Sequence, residues 1–152
     1  MVERGQTISA LCDHLRAHVP DLKLVKPYHG ELDRYSKKMQ LESEIFPAMV
    51  NLTTPFALII SKSRTRMENQ GTSVKWRHDL SIYIGTANMH DFNNINVPEI
   101  FSLMEQVTNA LQGTVLVKGA GALSVINDGE YLITSDLFTV YDMKFYQNEI
   151  GR

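Results

Sequence analysis

One stretch in the middle of the chain alternates strictly between apolar and polar side chains, and it limits the possible folds more than any other feature. Its apolar set is Val74, Trp76, His78, Leu80, Ile82 and Ile84, and its polar set is Lys75, Arg77, Asp79, Ser81 and Tyr83. Successive side chains of a strand point to opposite sides of a sheet, so this period of two predicts a half-buried strand.

The segment before this strand predicts a partner for it in a β-hairpin. The first arm runs from Phe56 to about Arg66, and Asn69-Gln70 are taken as the tip, which places Arg64 opposite Lys75. Five cations then share the outer side of the strand pair: Lys62, Arg64, Arg66, Lys75 and Arg77. Against one glutamate, Glu68, they give the segment a net charge of +4. A three-residue turn would instead shift the parity and disperse them.

Two interpretations of this cationic side remain open. Like charges directly opposite each other destabilise a strand pair by roughly 0.2–1 kcal/mol. The first interpretation is a solvated strand pair whose lysines and arginines discourage edge-to-edge aggregation. The second is that these cations meet an acidic partner, either a neighbouring subunit or a nucleic-acid backbone.

Two other stretches have the spacing of amphipathic helices. The apolar stripe of the first is Ile8, Leu11, Cys12, Leu15 and Val19, with Thr7 as its N-cap and Pro20 marking its end. The second begins in the segment Asn96-Val97-Pro98-Glu99 and ends before Gly113. Its buried stripe is Val97, Ile100, Leu103, Met104, Val107 and Leu111. Only one side of each helix is apolar, so both are expected to cover a sheet from outside.

The remaining segments predict further strands and one long loop. Strands are expected over Leu22 to Val25, over Ile45 to Leu52 before a break at Thr53-Thr54-Pro55, and within Val115 to Ile150; Glu31 to Glu44 is expected to be a surface loop. Together these elements predict an α+β fold: an antiparallel or mixed β-sheet with two amphipathic helices packed on it. Residues 1–152 are expected to form a single domain.

Composition excludes several classes of protein. The formal net charge is −2, so the molecule as a whole lacks the basic excess of many nucleic-acid-binding proteins. A single cysteine, Cys12, rules out an internal disulfide framework, and no signal segment opens the chain, which indicates a reducing cytoplasm. The longest apolar run, Phe56 to Ile60, is far short of a membrane span, so no membrane partner is predicted.

No catalytic, cofactor-binding or metal-binding residue is predicted. His14 and His18 have the spacing that lets two imidazoles bind one metal, but no third ligand accompanies them. His78 is interpreted as a core or interface histidine, because Asp79 points the other way, and Cys12 as an inert buried thiol. Gly119 to Ala122 is followed by strand-like sequence, whereas a phosphate loop needs a helix there. The carboxylates are scattered through predicted loops.

The order of features resembles a known family. The segments that carry the likeness lie between Thr7 and Phe145: "PYHGEL", "FPAMVNL", "LSIYIGTAN", "PEIFSLMEQVTNALQG" and "LFTVYDMKF". They are similar to the tail terminator, or tail-completion, proteins of Mu-like phages and prophages. The resemblance implies a small subunit without catalytic residues that assembles into a hexameric ring. That ring stops growth of the tail tube and gives the head a surface to join.

The resemblance also implies partners and locations. The partners would be further copies of the chain, the tail tube and head-completion proteins, with transient contact to passing DNA. The locations would be the cytoplasm of the bacterial host and the virion tail. The hairpin, with its five cations, and the loop Glu31 to Glu44 are the elements expected to contact neighbours, since a ring needs two complementary patches on each subunit.

Three alternatives stay open. The first is another head-tail connector or neck subunit. The second is a non-catalytic nucleic-acid-binding module that uses the basic hairpin. The third is an enzyme whose site is built from scattered residues.

Overall fold

The alternating stretch forms the central strand of a five-stranded sheet. The computed structural model of the chain describes residues 2–32, 53–71, 73–87, 99–134 and 138–151. In chain order its helices and strands are α1 (Arg4–His18), β1 (Leu24–Pro27), β2 (Phe56–Gln70), β3 (Ser73–Ala87), α2 (Glu99–Leu111), β4 (Ser124–Thr134) and β5 (Phe138–Gly151).

The sheet is mixed, with the strand order β1-β2-β3-β5-β4. β1 runs parallel to β2, and the other three neighbouring pairs are antiparallel. Two helices accompany this sheet in the described ranges, which confirms the α+β class. β5 continues alongside β3 until Gly151 pairs with Val74, so the end of the chain lies near the tip of the hairpin.

Both helices lie on the same side of the sheet and enclose the main hydrophobic core with it. α1 contributes buried Leu11, Cys12 and Leu15, as its spacing predicts. Its start differs from the prediction, because the helix begins at Arg4 with Glu3 in the N-cap position. Thr7 does not cap the helix. It is buried within it, and its Oγ1 accepts a 3.4 Å hydrogen bond from Gln147 on β5.

α2 confirms the second helical pattern. Its buried residues in the core are Ile100, Leu103, Met104, Val107 and Leu111. Gly113 follows with φ +80°, the left-handed conformation that commonly ends a helix. The predicted start at residues 96–98 lies outside the described residues.

The opposite side of the sheet carries a second, smaller apolar cluster. It consists of Leu32, Phe56, Leu58, Tyr83, Phe138 and Val140. Phe56 and Leu58 alternate along β2 with Ala57 and Ile59, which belong to the main core. The run Phe56 to Ile60 is continuously apolar because this part of β2 is covered on both sides.

Some sequence-based boundaries move and others cannot be compared. The first strand occupies Leu24–Pro27, shifted from the predicted Leu22 to Val25. Within the expected strand region Val115 to Ile150, Asn127-Asp128-Gly129 lies inside β4, where the register shifts. The predicted strand Ile45 to Leu52 lies outside the described residues, as does the loop Glu31 to Glu44 beyond Leu32.

Candidate functional site: the β2–β3 hairpin

The hairpin is longer than predicted, and its pairing differs. β2 and β3 each span 15 residues. Gln70 pairs with Ser73, and Gly71 between them has φ +64°, so the turn lies beyond the predicted tip at Asn69-Gln70. The register also shifts between Ser61 and Ser63, which leaves Lys62 as an extra residue in a β-bulge.

This pairing contradicts the prediction that the five cations share one side of the hairpin. Arg64 lies opposite His78 instead of Lys75, and Arg66 lies opposite Trp76. The observed pairing of Arg64 and Arg66 differs from the predicted one by an odd number of residues. An odd shift exchanges the two sides of a strand, so these arginines share a side with different residues of β3 than predicted. The prediction that all five cations lie on the outer side is therefore wrong.

Arg64 and Arg66 share the helix side of the sheet with His78 and Trp76. Lys62, Lys75 and Arg77 belong to the opposite side, where the Lys62 ammonium lies 5.6 Å from the centre of the Tyr83 ring.

Arg77 is the most constrained cation on the side away from the helices. Its Nε lies 2.8 Å from Asp79 Oδ1, and its guanidinium lies 4.2 Å from the centre of the Tyr146 ring. Stacking on an aromatic ring and pairing with a carboxylate both suit the planar guanidinium. About a third of the Arg77 side chain remains exposed, so it can still contact a partner.

Arg64 is part of a buried network of side chains instead of the exposed surface of the hairpin. Its Nη2 lies 2.9 Å from Glu149 Oε1, and it also donates to the carbonyl oxygen of Val2. Glu149 Oε2 lies 3.0 Å from His78 Nδ1, and His78 Nε2 lies 2.7 Å from Ser61 Oγ. The network therefore ties β2, β3, β5 and Val2, at the start of the chain, together.

Glu149 was not among the predicted site residues, although the sequence contains a signal for its burial. Met143, Phe145 and Gln147 point toward the helices, and a period of two carried to the end of β5 places Glu149 on the same side. A carboxylate with no exposed surface requires a partner, because an unpaired buried charge is strongly unfavourable. Arg64 supplies that partner.

Burial lowers the pKa of His78; the Glu149 carboxylate opposes this shift and the Arg64 guanidinium adds to it. In a neutral His78 with its proton on Nδ1, this nitrogen lies close to Glu149, and Nε2 accepts from the Ser61 hydroxyl. Serine, histidine and carboxylate in this order are also the components of a nucleophilic triad. However, neither His78 nor Glu149 has exposed surface, so the imidazole cannot contact a substrate in this conformation. The geometry favours a structural role.

The two histidines of α1 stack on each other and form hydrogen bonds within the protein. The rings of His14 and His18 stack with their centres 4.0 Å apart. His14 Nε2 bonds the carbonyl oxygen of Ala110 on α2, and His18 Nδ1 bonds that of His14, both at 2.9 Å. Across the described ranges, no group of three or more His, Cys, Asp or Glu side chains could hold a metal ion.

The other two candidates from the sequence are Cys12 and the segment Gly119 to Ala122. Cys12 is buried, and burial raises the pKa of its thiol, which makes the reactive thiolate scarce. The segment Gly119 to Ala122 pairs through Ala120 with Glu149 of β5, and β4 follows it as a strand. This order is unlike a phosphate loop, which precedes a helix.

A pocket of about 550 Å³ lies between α2 and strands β4 and β5. Phe101 and Tyr141 form aromatic walls, with ring centres 5.7 Å apart, and Glu105 and Asp128 supply carboxylates. Gly129 allows α2 to approach, because a Cβ there would lie 2.6 Å from Met104 Sδ. Sequence analysis did not find this pocket, since its residues come from three elements and share no motif.

Within the described residues, the fold and these surfaces define a class: a small α+β domain with one mixed sheet, two helices on one side and a long charged hairpin. None of the described helices is both long and apolar enough to cross a membrane. In comparisons with known proteins, no family model matches the chain and no curated protein matches its sequence.

Proposed function

We propose that this chain is a virion structural protein of the tail-terminator type. Copies of it form a ring, hexameric in the family that it resembles, which caps the tail tube and joins the tail to the head. The chain would act in the cytoplasm of a bacterial host and then in the virion tail. Its action is geometric: one side of the ring matches the last disc of the tube, and the other lacks the surface on which the tube grows.

The observation that carries this proposal is the unusual edge strand β4. Ile126, Tyr131 and Leu132 on this strand expose 46%, 57% and 44% of their surface. β4 has irregular pairing, as protected edge strands often do, but several large apolar side chains exposed along one edge strand indicate an interface.

The hairpin is formed by the neighbouring strands β2 and β3, and β5 separates it from the edge strand β4. The subunit thus presents two different surfaces: a hairpin with charges on both sides and an edge strand with exposed apolar side chains. A closed ring requires such a pair, because each interface of a ring joins one surface to another.

The nucleic-acid alternative loses its main support in the corrected register. Lys62, Lys75 and Arg77 share their side of the sheet with Asp79 and Asp142, while Arg64 is paired internally. A phosphate backbone would therefore meet mixed charges instead of a cationic stripe.

The test is assembly, with and without tail tubes. Native mass spectrometry and negative-stain microscopy are applied over a range of concentrations, and isolated tubes are then added. We expect sixfold rings, either alone or at tube ends, and tubes that stop growing once they are capped. A chain that stays monomeric and leaves tube growth unchanged would contradict the proposal.

Two further measurements separate the alternatives. Rings that bind heads but never tube ends favour another connector or neck subunit. Binding to duplex DNA whose log K falls steeply with log salt, without ring formation, favours the nucleic-acid module. The matched variant neutralises Lys62, Arg66, Lys75 and Arg77 and leaves Arg64 in place, since Arg64 pairs with the buried Glu149.

A further inference from the structure

We infer that the pocket beside α2 receives the hairpin tip of a second copy of this chain, with Arg66 and Met67 as the inserted residues. This inference rests on the proposed ring and identifies its subunit interface.

The chemistry of the pocket selects a cation with an apolar stem. Glu105 and Asp128 bring two carboxylates to it, and no lysine or arginine is among its described lining residues. Phe101 is 40% exposed and meets Tyr141 edge to face. Aromatic faces attract cations, and carboxylates pair with guanidinium groups. An arginine can satisfy both, because its stem packs on the rings while its head reaches the acids.

The hairpin tip supplies matching residues. Arg66 is exposed, and Met67 beside it exposes 44% of its surface. Methionine is unbranched and adapts to irregular apolar gaps, so it suits the space beside Phe101 and Met104. The hairpin's cations outnumber its acids, which gives the two surfaces opposite charge.

A chain cannot fill its own pocket. Tyr141 lines the pocket, whereas Arg66 pairs with Trp76, which pairs with Glu149 further along the strand of Tyr141. The eight positions from Tyr141 to Glu149 correspond to about 26 Å at roughly 3.3 Å per residue. The tip and the pocket must therefore meet between copies, head to tail. Contacts of this kind close into a ring if the rotation between copies closes.

The first test is a charge exchange. Arg66→Glu and Glu105→Arg are each expected to weaken subunit association by about tenfold or more, because each places like charges together. The double variant carries the reversed pair at every interface and should restore assembly. Lys23→Glu, an exposed cation before β1, is the matched control and should assemble like the wild type. Circular dichroism checks that each variant is folded.

The second test is a cross-link between two single variants. Met67→Cys and Asn109→Cys proteins are mixed and oxidised; Asn109 lines the pocket, and the natural Cys12 stays buried. Disulfides should join position 67 of one copy to position 109 of another. The wild-type protein should give no such product.

The failures of the two proposals can be told apart. This inference is overturned, and the proposed ring is not, if the Glu105→Arg protein forms rings as readily as the wild type. The same holds if the double variant assembles no better than the single variants. Cross-links only between two copies of position 67 also overturn it. A wild-type chain that never assembles, with tubes or without, contradicts both proposals together.

Discussion

Replacing Arg64 by methionine tests whether this cation stabilises the fold from within. The substitution keeps a long, flexible side chain but removes the charge that lies 2.9 Å from Glu149. Glu149 has no exposed surface, so its carboxylate would be left buried without its cation. Breaking a buried pair in this way costs about 3–5 kcal/mol. Whole domains have about 5–15 kcal/mol of stability, so Arg64→Met should unfold far more easily.

Urea unfolding followed by circular dichroism measures this loss. With a slope of about 2 kcal/mol per molar urea, a loss of about 4 kcal/mol lowers the midpoint by about 2 M. Arg66→Met, an exposed position on the same strand, should change the stability by less than about 1 kcal/mol. Arg64→Met combined with Glu149→Met should recover most of the loss, because no charge is then left unpaired.

The loss should also depend on pH. Because burial lowers the pKa of His78, the unfolded wild type binds a proton more readily than the folded form, and the wild type loses stability as pH falls below 6.5. In Arg64→Met the repelling guanidinium is gone, and a protonated His78 can pair with Glu149. The difference in unfolding free energy between Arg64→Met and the wild type should therefore be smaller near about pH 5.5 than near about pH 8. The reasoning would be refuted if Arg64→Met lost less than about 1 kcal/mol of unfolding free energy at the higher pH, or if the loss were equal at both pH values.

Three further predictions concern other parts of the sheet and helices. Gly85→Ala should destabilise the protein by about 1–3 kcal/mol in thermal unfolding, because its Cβ would lie 2.2 Å from the Phe56 ring; wild-type stability would show that this ring can move aside. Burial raises the pKa of Asp142, so the wild type should lose stability as pH rises above 3.8 through the folded-state pKa, and Asp142→Asn should remove that loss in urea titrations. Cys12 should react slowly with a thiol reagent in the folded protein and rapidly in urea, whereas fast labelling of the native chain would contradict its burial.

The helices and the central strand could be predicted because their periodicity is local. Leu11, Leu15 and Val107 occupy the positions that a helical stripe requires, and Ile82 and Ile84 those of a half-buried strand. Burial of each residue follows from its spacing within one element, so no knowledge of the neighbouring elements was needed.

The pairing between elements could not be obtained in the same way. Which residues of β2 face those of β3 depends on where the turn lies and on whether a bulge occurs. Gly71 is the signal for the turn, since it adopts φ +64°, but the bulge at Lys62 has no comparable mark in the sequence. The pocket beside α2 is a still longer-range feature, because Phe101, Asp128 and Tyr141 meet only after three elements pack.

The cations of the hairpin are divided between its two sides, and this division determines which shape of acceptor can contact both sides. Arg64 is neutralised within the fold, and Arg66 lies on the helix side, while Lys62, Lys75 and Arg77 lie on the other. A flat acidic surface, such as a nucleic-acid backbone, can touch only one side of a strand pair at a time. A pocket can enclose the tip and contact both sides. The hairpin therefore fits a concave acceptor better than a flat one, and the pocket beside α2 has the concave shape and the carboxylates that such an acceptor needs.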